Sequence, residues 1–406
     1  MNNTVWYNCD IVTMRLGKYH LIKHAAIVTQ DETILWIGLE KDLQSQGYKI
    51  ESTAINLQRR IVTPGLIDVH THLVFGGHRS EEFESRLEGI SYAEIAKKGG
   101  GIQSTVKETH SESEDSLYQS AKKRVQHLLR DGVTTLEIKS GYGLDLQNEL
   151  KMLRVINQLK KTFPIEIHTT YLAAHALPEN FEGDADGYID YVINTVLPAV
   201  IRSCQIDALD AFCEYLAFSP DQVERLFIAA KKYNIPVKLH AEQLSSLHGS
   251  TLAANYNALS ADHVEYADRN DAKAMAKSGT AAVLLPGAFY MLGEKQIPPI
   301  KAFREEGVKM VLASDLNPGT SPMLSLRLAL NMGCVLFKLT PEEALAGVTY
   351  NAAHALGLEE EIGSLEIGKR ADFVAWDITH ASELSYWLGG AISNITVAKG
   401  KIIHAL

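Results

Sequence analysis

Residues 66–75 read LIDVHTHLVF, an apolar run that carries two histidines, His70 and His72, at alternate positions. In a β-strand, residues i and i+2 point to the same side, so both imidazoles would face one direction. Polar rings on a buried strand are costly unless a hydrogen-bonding group or a metal ion engages them. The pair alone leaves both interpretations open, so the answer depends on what the rest of the chain brings to it.

Seven further strand-like runs follow this one, and amphipathic helical segments separate them. The eight runs are RIVTPGLIDVHTHL (60–73), GVTTLEIK (132–139), IEIHTTYLAAH (165–175), IDALDAFCE (206–214), IPVKLHAEQ (235–243), ALSADHVEY (258–266), TAAVLLP (280–286) and GVKMVLASD (307–315). Most are nearly continuous apolar stretches, which is typical of parallel strands buried on both faces. Eight alternations predict an α/β protein with a (β/α)8 TIM-like barrel, although a doubly wound sheet can also contain many such units.

Two helix-start patterns support these alternations. Ser219 followed by Pro220 is typical of an N-cap and a first helical residue. Thr340, Pro341 and Glu343 form a capping-box pattern. We therefore predict helices that begin near residues 220 and 341.

Both ends of the chain have a different rhythm, with short strands separated by turns. The runs are VWYNCDIVTM (5–14), AAIVTQ (25–30) and TILWIG (33–38) near the start, and GKRADFVAWD (368–377) and NITVAKGKIIHAL (394–406) near the end. Neither segment is large enough to fold alone. We predict that residues 1–60 and 366–406 form one small β domain and that residues 61–365 form the barrel.

Length and composition suit this architecture. The 406 residues, of which 46% are hydrophobic, can bury the core of a large barrel with an additional domain. A formal charge of −10 argues against non-specific binding to nucleic acid or to an anionic membrane surface. The sequence shows no signal-peptide pattern and no apolar run of membrane-spanning length. Four scattered cysteines (Cys9, Cys204, Cys213 and Cys334) lack metal or disulfide spacing, so we expect a cytoplasmic protein.

Residues that can bind a metal or exchange a proton end seven of the eight predicted strands. They are His70 and His72, Lys139, His175, Cys213 and Glu214, His240, His263, and Asp315. In a barrel of this type, chemistry gathers at the carboxyl ends of the strands. Ordinary polar strand ends would favour serine, asparagine and glycine rather than so many histidines.

Three of these strand ends predict a metal site near the barrel axis. His70 and His72 end the first strand, and His240 ends the fifth strand across the barrel. Asp315 ends the eighth strand, which closes beside the first. Imidazole and carboxylate suit divalent transition metals, and a position left open for water is typical of a catalytic site.

The motifs around these residues resemble the amidohydrolase superfamily: PGLIDVHTHL (64–73), KLHAEQ (238–243) and ASDLNPG (313–319). A closer resemblance, between about residues 60 and 370, is to the imidazolonepropionase family. It rests on FGGHRSEEF (75–83), GGGIQST (99–105), TLEIKSGYGLD (135–145), TYLAAHALP (170–178), HAEQLS (240–245), ADHVEY (261–266) and SDLNPGTSP (314–322). The resemblance implies a β-sandwich built from both chain ends and one Zn or Fe ion per subunit. It also implies that water opens the ring amide of 4-imidazolone-5-propanoate to give N-formimidoyl-L-glutamate.

The resemblance implies roles for individual residues. The metal ligands would be His70, His72, His240 and Asp315. Asp315 would also carry a proton from water to the leaving nitrogen, while His263 would polarise the carbonyl or the water. The substrate would be bound by Arg79, Tyr142, His175, Gln243, Asn317, Gly319 and Thr320.

Several of these residues have structural alternatives. Arg79 can clamp a carboxylate of the substrate or pair with Glu81 or Glu82. The segment NPGTSP (317–322) can be turn chemistry alone, and Gly99–Gly101 can be a lid or a plain flexible loop. Gln243 has the least transferable role, because some family members carry glutamate there.

Other functions stay open as well. Cys213 and Glu214 could support a second metal, but we expect a buried thiol and a salt bridge. A deaminase would need an acid near His240, and Glu242 should face away from the lumen. A third alternative is a non-catalytic binding barrel. We expect a small anionic substrate, no nucleic acid or membrane partner, and a homodimer.

Overall fold

The computed structural model describes residues 3–90, 100–390, 392 and 394–405. The strands are β1 (Asn3–Val12), β2 (Leu21–Gln30), β3 (Thr33–Leu39), β4 (Ile55–Asn56), β5 (Ile61–Pro64), β6 (Leu66–Asp68), β7 (Val133–Lys139), β8 (Glu166–Ala174), β9 (Ala208–Cys213), β10 (Leu239–Ala241), β11 (Ser260–His263), β12 (Ala281–Leu284), β13 (Met310–Leu312), β14 (Phe373–Trp376), β15 (Asn394–Ala398) and β16 (Lys401–Ala405).

The α-helices in the described part of the chain are α1 (Ser80–Leu87), α2 (Ile102–Ser111), α3 (Glu114–Arg130), α4 (Leu146–Thr162), α5 (Ala185–Tyr191), α6 (Leu197–Ser203), α7 (Pro220–Lys232), α8 (Gly249–Asn255), α9 (Arg269–Ser278), α10 (Pro286–Leu292), α11 (Ile300–Glu306), α12 (Leu326–Phe337), α13 (Pro341–Gly347), α14 (Tyr350–His354) and α15 (Glu383–Tyr386). Both predicted helix starts are confirmed. Ser219 forms a capping box before α7, and Thr340 does the same before α13. None of these helices is long and apolar enough to cross a membrane.

Strands β6 to β13 form a parallel barrel in which each strand pairs with the next along the chain. The barrel closes just beyond its first and last strands, where Asp315 N donates to His70 O at 3.0 Å and His72 N donates to Leu316 O at 2.9 Å. All eight predicted strands contribute, and the predicted (β/α)8 barrel is confirmed. Because parallel strands end at one rim, the residues that follow them converge there.

The two chain ends join in a second eight-stranded sheet. Its order is β16-β15-β14-β5-β1-β2-β3, with β4 beside β1. Trp6 of β1 and Phe373 of β14 meet edge to face in its core, with ring centroids 5.0 Å apart. The composite β domain is thus confirmed, and each chain end supplies half of this aromatic contact.

A bend at Gly65 divides the first predicted strand in two. Before the bend, β5 pairs with β1 and β14 in the terminal sheet, whereas β6 enters the barrel. A Cβ at position 65 would lie 2.1 Å from Thr134 Oγ1, so this close approach requires glycine. The prediction of one strand over residues 60–73 was wrong, because apolar composition does not reveal a bend between two strands. The predicted domain boundary at residue 61 stays a prediction. It assigns β5 to the barrel domain, although β5 pairs with strands of the terminal sheet.

Candidate active site

Four donor atoms meet at the carboxyl rim of the barrel. His72 Nε2 lies 3.3 Å from His70 Nε2 and 3.4 Å from His240 Nε2. Asp315 Oδ1 lies 3.4 Å from His70 Nε2 and 3.6 Å from His72 Nε2. All four side chains are buried. The strand ends therefore bring together the four residues that the sequence predicted as ligands.

This donor cluster fits a metal ion. A tetrahedral zinc ion with bonds of about 2.0–2.1 Å separates its ligand atoms by roughly 3.3–3.4 Å. The four donor pairs described above are separated by 3.3 to 3.6 Å. Three imidazole nitrogens and one carboxylate oxygen suit zinc and iron alike. His70, His72 and Asp315 have their donor atoms within 4.8 Å of one another, and His240 joins them through its contact with His72. The residues present therefore match a transition-metal ion in chemistry, and three of them match it directly in spacing.

Two carboxylates hold the far sides of the histidine rings. His70 Nδ1 lies 2.6 Å from Asp262 Oδ2, and His240 Nδ1 lies 3.1 Å from Asp210 Oδ2. The hydrogen bond from His70 Nδ1 to Asp262 places the proton of that ring on Nδ1 and leaves Nε2 bare for a metal. The contact of His240 Nδ1 with Asp210 is an ion-pair contact without the alignment of a hydrogen bond, and its charge favours the same tautomer. Neither acid was predicted from the sequence. The available signal was an aspartate inside the otherwise apolar strand β9, and an aspartate directly before His263 in β11.

Burial sets the protonation of the donor cluster. It is the main reason that the pKa values of His70 and His72 lie well below their usual range, and neighbouring cationic groups add to it. Both rings are therefore neutral near pH 7, which is the ligating form of histidine. Burial also raises the pKa of Asp315 well above its usual range. A cation among these donors would offset that cost.

The backbone at this rim is strained at residues other than glycine. The left-handed residues are Glu242, His263, Val264 and Asp315, with φ from 50° to 82°. This conformation is especially costly for a β-branched residue, and such strain concentrates at functional sites. A hydrogen bond from Val264 N to Ala241 O at 3.0 Å helps to hold it.

Two more predicted histidines flank the donor cluster. The ring centroid of His263 lies 5.5 Å from that of His240, and its Nδ1 is buried without a hydrogen-bond partner. His175 stacks on His72 with centroids 4.9 Å apart. Its Nδ1 donates to Gly141 O at 3.0 Å, so its Nε2 is an acceptor. Burial is the largest cause that lowers the pKa of His175 to about 3, which keeps it neutral.

Tyr142 lies in the loop after β7, beside these rings. Its ring centroid is 5.4 Å from that of His175. Glu149 Oε1 fixes the loop by accepting the backbone N–H groups of Gly141, Gly143 and Leu144 at 2.9 to 3.2 Å. The structure thus brings Tyr142 to the rim through a buried carboxylate that the sequence pattern did not single out.

Arg79 also reaches the rim, and it is paired with Glu82. Its Nε and Nη2 both lie 2.9 Å from Glu82 Oε2. On the other side, Nη1 lies 2.0 Å from the place that a Cβ on Gly319 would occupy. The ion pair therefore uses the Nε side of the guanidinium and directs Nη1 to the loop after Asp315.

That loop is held by its own turn chemistry. Asn317 Oδ1 accepts Gly319 N at 2.9 Å and Thr320 N at 2.7 Å. Asn317 Nδ2 donates to Asp315 O at 2.7 Å and to Thr320 Oγ1 at 3.0 Å. The polar atoms of Asn317 are thus used within the loop, as the structural alternative expected, and they fix the backbone of Asp315.

Glu214 supports the loop that carries Gln243, which is half-buried. It accepts Leu244 N at 2.8 Å and Ser245 N at 3.1 Å, and no ion pair joins it to the described residues. The predicted salt bridge is wrong, because loop amides rather than a cation satisfy this carboxylate. Cys213 is the expected buried thiol, whose pKa burial raises to about 12 with help from nearby acids.

The predicted glycine lid falls partly outside the described residues. Gly99 is one of the residues outside them. Gly101 precedes α2, and its N–H donates to Glu82 Oε1 at 3.1 Å. Lid motion stays a prediction, but one end of the segment is tied to the carboxylate that pairs with Arg79.

Over nearly its whole length, the chain is similar to known proteins of one family. The amidohydrolase family model matches residues 61–403. An imidazolonepropionase of Pseudomonas aeruginosa (strain UCBPP-PA14) is 61% identical over 400 residues, which cover 98% of this chain and 99% of that protein. The imidazolonepropionase of Pseudomonas putida (strain GB-1) is 60% identical over 398 residues, which are 98% of each chain.

Solved structures share the fold at low identity. A triazine hydrolase variant has a TM-score of 0.75 at 17% identity and covers 99% of this chain and 95% of its own. A zinc-bound adenosine deaminase from Xanthomonas campestris has a TM-score of 0.72 at 16% identity, with 98% and 92% covered. The chain therefore belongs to the amidohydrolase family and, at the identity of its Pseudomonas relatives, to the imidazolonepropionases within it.

Proposed function

We propose that this chain uses a metal ion and water to open the ring amide of 4-imidazolone-5-propanoate, giving N-formimidoyl-L-glutamate in histidine degradation. The assignment of this substrate rests on the 61% identity to an imidazolonepropionase over 98% of the chain. The four converging donors at the barrel rim support metal-dependent hydrolysis as the class of reaction.

In this proposal, His70, His72, His240 and Asp315 hold one zinc or iron ion per subunit. Such an ion, when bound, acts as a Lewis acid and lowers the pKa of water toward about 7. The carboxylates of Asp210 and Asp262 support this role, because they leave the Nε2 atoms of His240 and His70 unprotonated.

Asp315 moves the proton of the reaction. It takes a proton from the attacking water and delivers it to the ring nitrogen that leaves. Oδ1 lies 3.4 to 3.6 Å from two histidine donors and is assigned to the metal, and Oδ2 is assigned to the proton. Burial, which raises the pKa of this carboxyl, favours holding that proton. His263, whose Nδ1 has no partner, is placed to polarise the carbonyl or orient the water.

Loops around the rim bind the substrate in this proposal. Arg79 offers its Nη1 side to the propanoate carboxylate. Neutral His175 accepts a ring N–H through Nε2, while Tyr142 and Gln243 bond the polar edge of the ring. Asn317 and Thr320 shape the last loop, and Gly319 leaves room for the arginine.

Deamination is not supported by the position of the nearest acid. Glu242 accepts Gly249 N and Ser250 N, both at 2.7 Å, at the start of α8. These two bonds hold both carboxylate oxygens at the start of α8. It therefore acts as a helix cap and is not free to protonate departing ammonia.

Metal analysis and a substrate panel test the proposed function. Purified protein should contain about one zinc or iron per chain and should turn over imidazolonepropanoate but not cyclic ureides or aminopyrimidines. Turnover of an aminopyrimidine without turnover of the imidazolone would reject the substrate. Full activity after complete metal removal would reject metal-dependent hydrolysis.

We also propose a homodimer in the cytoplasm. The four unpaired cysteines support a reducing compartment. Sedimentation of the purified protein tests the dimer, and a monomer at micromolar concentration would reject it. Fractionation of the producing cells tests the location.

A further inference from the structure

A buried lysine connects the two carboxylates behind the histidine rings. Lys139, at the end of β7, places Nζ 2.8 Å from Asp210 Oδ2 and 3.7 Å from Asp262 Oδ2. The same two oxygens face the Nδ1 atoms of His240 and His70. The result is one continuous row, His240–Asp210–Lys139–Asp262–His70, which we call the Lys139 row. Each of its ends is a member of the donor cluster.

The Lys139 row is sealed from solvent. The side chains of Lys139, Asp210 and Asp262 are all 0% exposed. Buried charges persist only when they are paired and hydrogen-bonded. Lys139 meets this requirement, because Nζ also donates to Glu137 Oε1 at 2.7 Å. An ammonium has three donors, and three carboxylates surround this one. Because its ammonium is paired with these carboxylates, Lys139 is not available to bridge a second metal.

We propose that Lys139 is a positioning residue for metal binding. It fixes Asp262 where it accepts the Nδ1 proton of His70, and Asp210 beside Nδ1 of His240. Both Nε2 lone pairs are thereby kept turned toward the metal. Without the lysine, Asp210 loses the ammonium beside its Oδ2, and Asp262 keeps its hydrogen bond from Ser260 Oγ and the more distant Lys238. Both carboxylates are then held less firmly beside their histidines. This inference rests on the metal site of the proposed function but not on the choice of substrate.

The test is zinc affinity in a Lys139→Met variant, which keeps the length of the side chain but cannot donate. Outer-shell partners of metal ligands typically contribute about 10- to 100-fold in affinity. Competition with a chromophoric chelator should therefore show zinc binding weakened by about 10- to 100-fold. The visible spectrum of the cobalt-loaded variant should also change, because it reports ligand geometry rather than overall stability.

Lys238→Met is the matched control. Lys238 is equally buried, and it lies 3.5 Å from Glu137 Oε1 and 3.9 Å from Asp262 Oδ2, but its shortest contact is with the main-chain oxygen of Val69 at 2.7 Å, and it makes no ion pair with Asp210 among the described residues. Its loss leaves Lys139 in contact with both Asp210 and Asp262, so the Tm should fall while zinc affinity falls much less than in Lys139→Met. Equal losses of zinc affinity in the two variants would overturn the proposal.

A second variant guards against misfolding. Glu137→Gln combined with Lys139→Met removes one charge of each sign and so leaves less unpaired charge in the core. Zinc affinity equal to that of the unaltered protein in either folded variant would overturn the proposal. Failure of both variants to fold would also overturn it, because Lys139 would then serve the fold. Weak zinc binding in the variants, with no imidazolone turnover by the unaltered protein, would reject the proposed substrate alone.

Discussion

The donor cluster and the substrate loops share one rim but are held in opposite ways. His70, His72, His240 and Asp315 follow buried strands, and buried carboxylates lie behind His70 and His240. Arg79 instead depends on contacts between loops, and its pair with Glu82 is partly exposed, at 16% and 17%. In the proposed function, the reacting centre is thus built into the barrel, whereas recognition is assigned to loop segments that can vary without disturbing it. Changes in the cluster should abolish the reaction, and changes in the loops should alter substrate affinity.

The largest effect is expected from His240→Ala. This change deletes one of four donors, so bound metal and turnover should be lost together. Elemental analysis and an activity assay measure both. His127→Ala is the control, because His127 is an exposed histidine on α3 and belongs to none of the groups of metal-donor atoms in the described part of the chain. A His240→Ala protein that kept a full complement of metal would remove His240 from the ligand set.

Asp315→Asn separates metal binding from proton transfer. The amide oxygen can still ligate, but the amide cannot take a proton from water, so kcat should fall by about 10²- to 10⁴-fold. Metal content should fall much less than in His240→Ala. Steady-state kinetics on metal-replete protein measures the effect, and a kcat within tenfold of the unaltered enzyme would exclude Asp315 as the proton carrier.

Arg79→Ala should act on affinity rather than on rate. Loss of a charged hydrogen bond to the propanoate corresponds to about 1.5–3 kcal/mol, or a KM raised by about 10- to 100-fold with little change in kcat. Metal content should not change. Arg225→Ala on α7 is the control, since this arginine pairs with surface aspartates. An unchanged KM in Arg79→Ala would rule out the carboxylate clamp.

Gly319→Ala should give the smallest effect of the series. The added Cβ would lie 2.0 Å from Arg79 Nη1, so the guanidinium must shift. Because that side chain is flexible, we expect a KM raised only about 3- to 10-fold, near 1 kcal/mol. In an Arg79→Ala background the same change should add nothing, because the two residues act through one contact. Additive effects of the two substitutions would show that Gly319 acts independently of the arginine.

The sequence could predict the donor cluster because topology delivers strand ends to one rim. Predicting that His240 and Asp315 lie near His70 and His72 required only the correct count of the strands. The partner of Arg79 could be identified only from distances in the structure, because Glu81, Glu82 and a substrate carboxylate are all chemically suitable partners. The left-handed backbone at Val264 has no local signal at all, because valine disfavours it and the neighbouring strand imposes it. The bend at Gly65 likewise depends on a contact with another strand.

The position of β5 has a consequence for protein synthesis. This strand lies between β1 and β14, so residues 61–64 pair with residues 373–376 from the far end of the chain. On the ribosome, His70 and His72 emerge long before β14, the strand that pairs with β5 just ahead of them. Contacts so distant in sequence form late in folding. We therefore expect metal capture only after release, and stalled nascent chains that end before residue 373 should retain no metal.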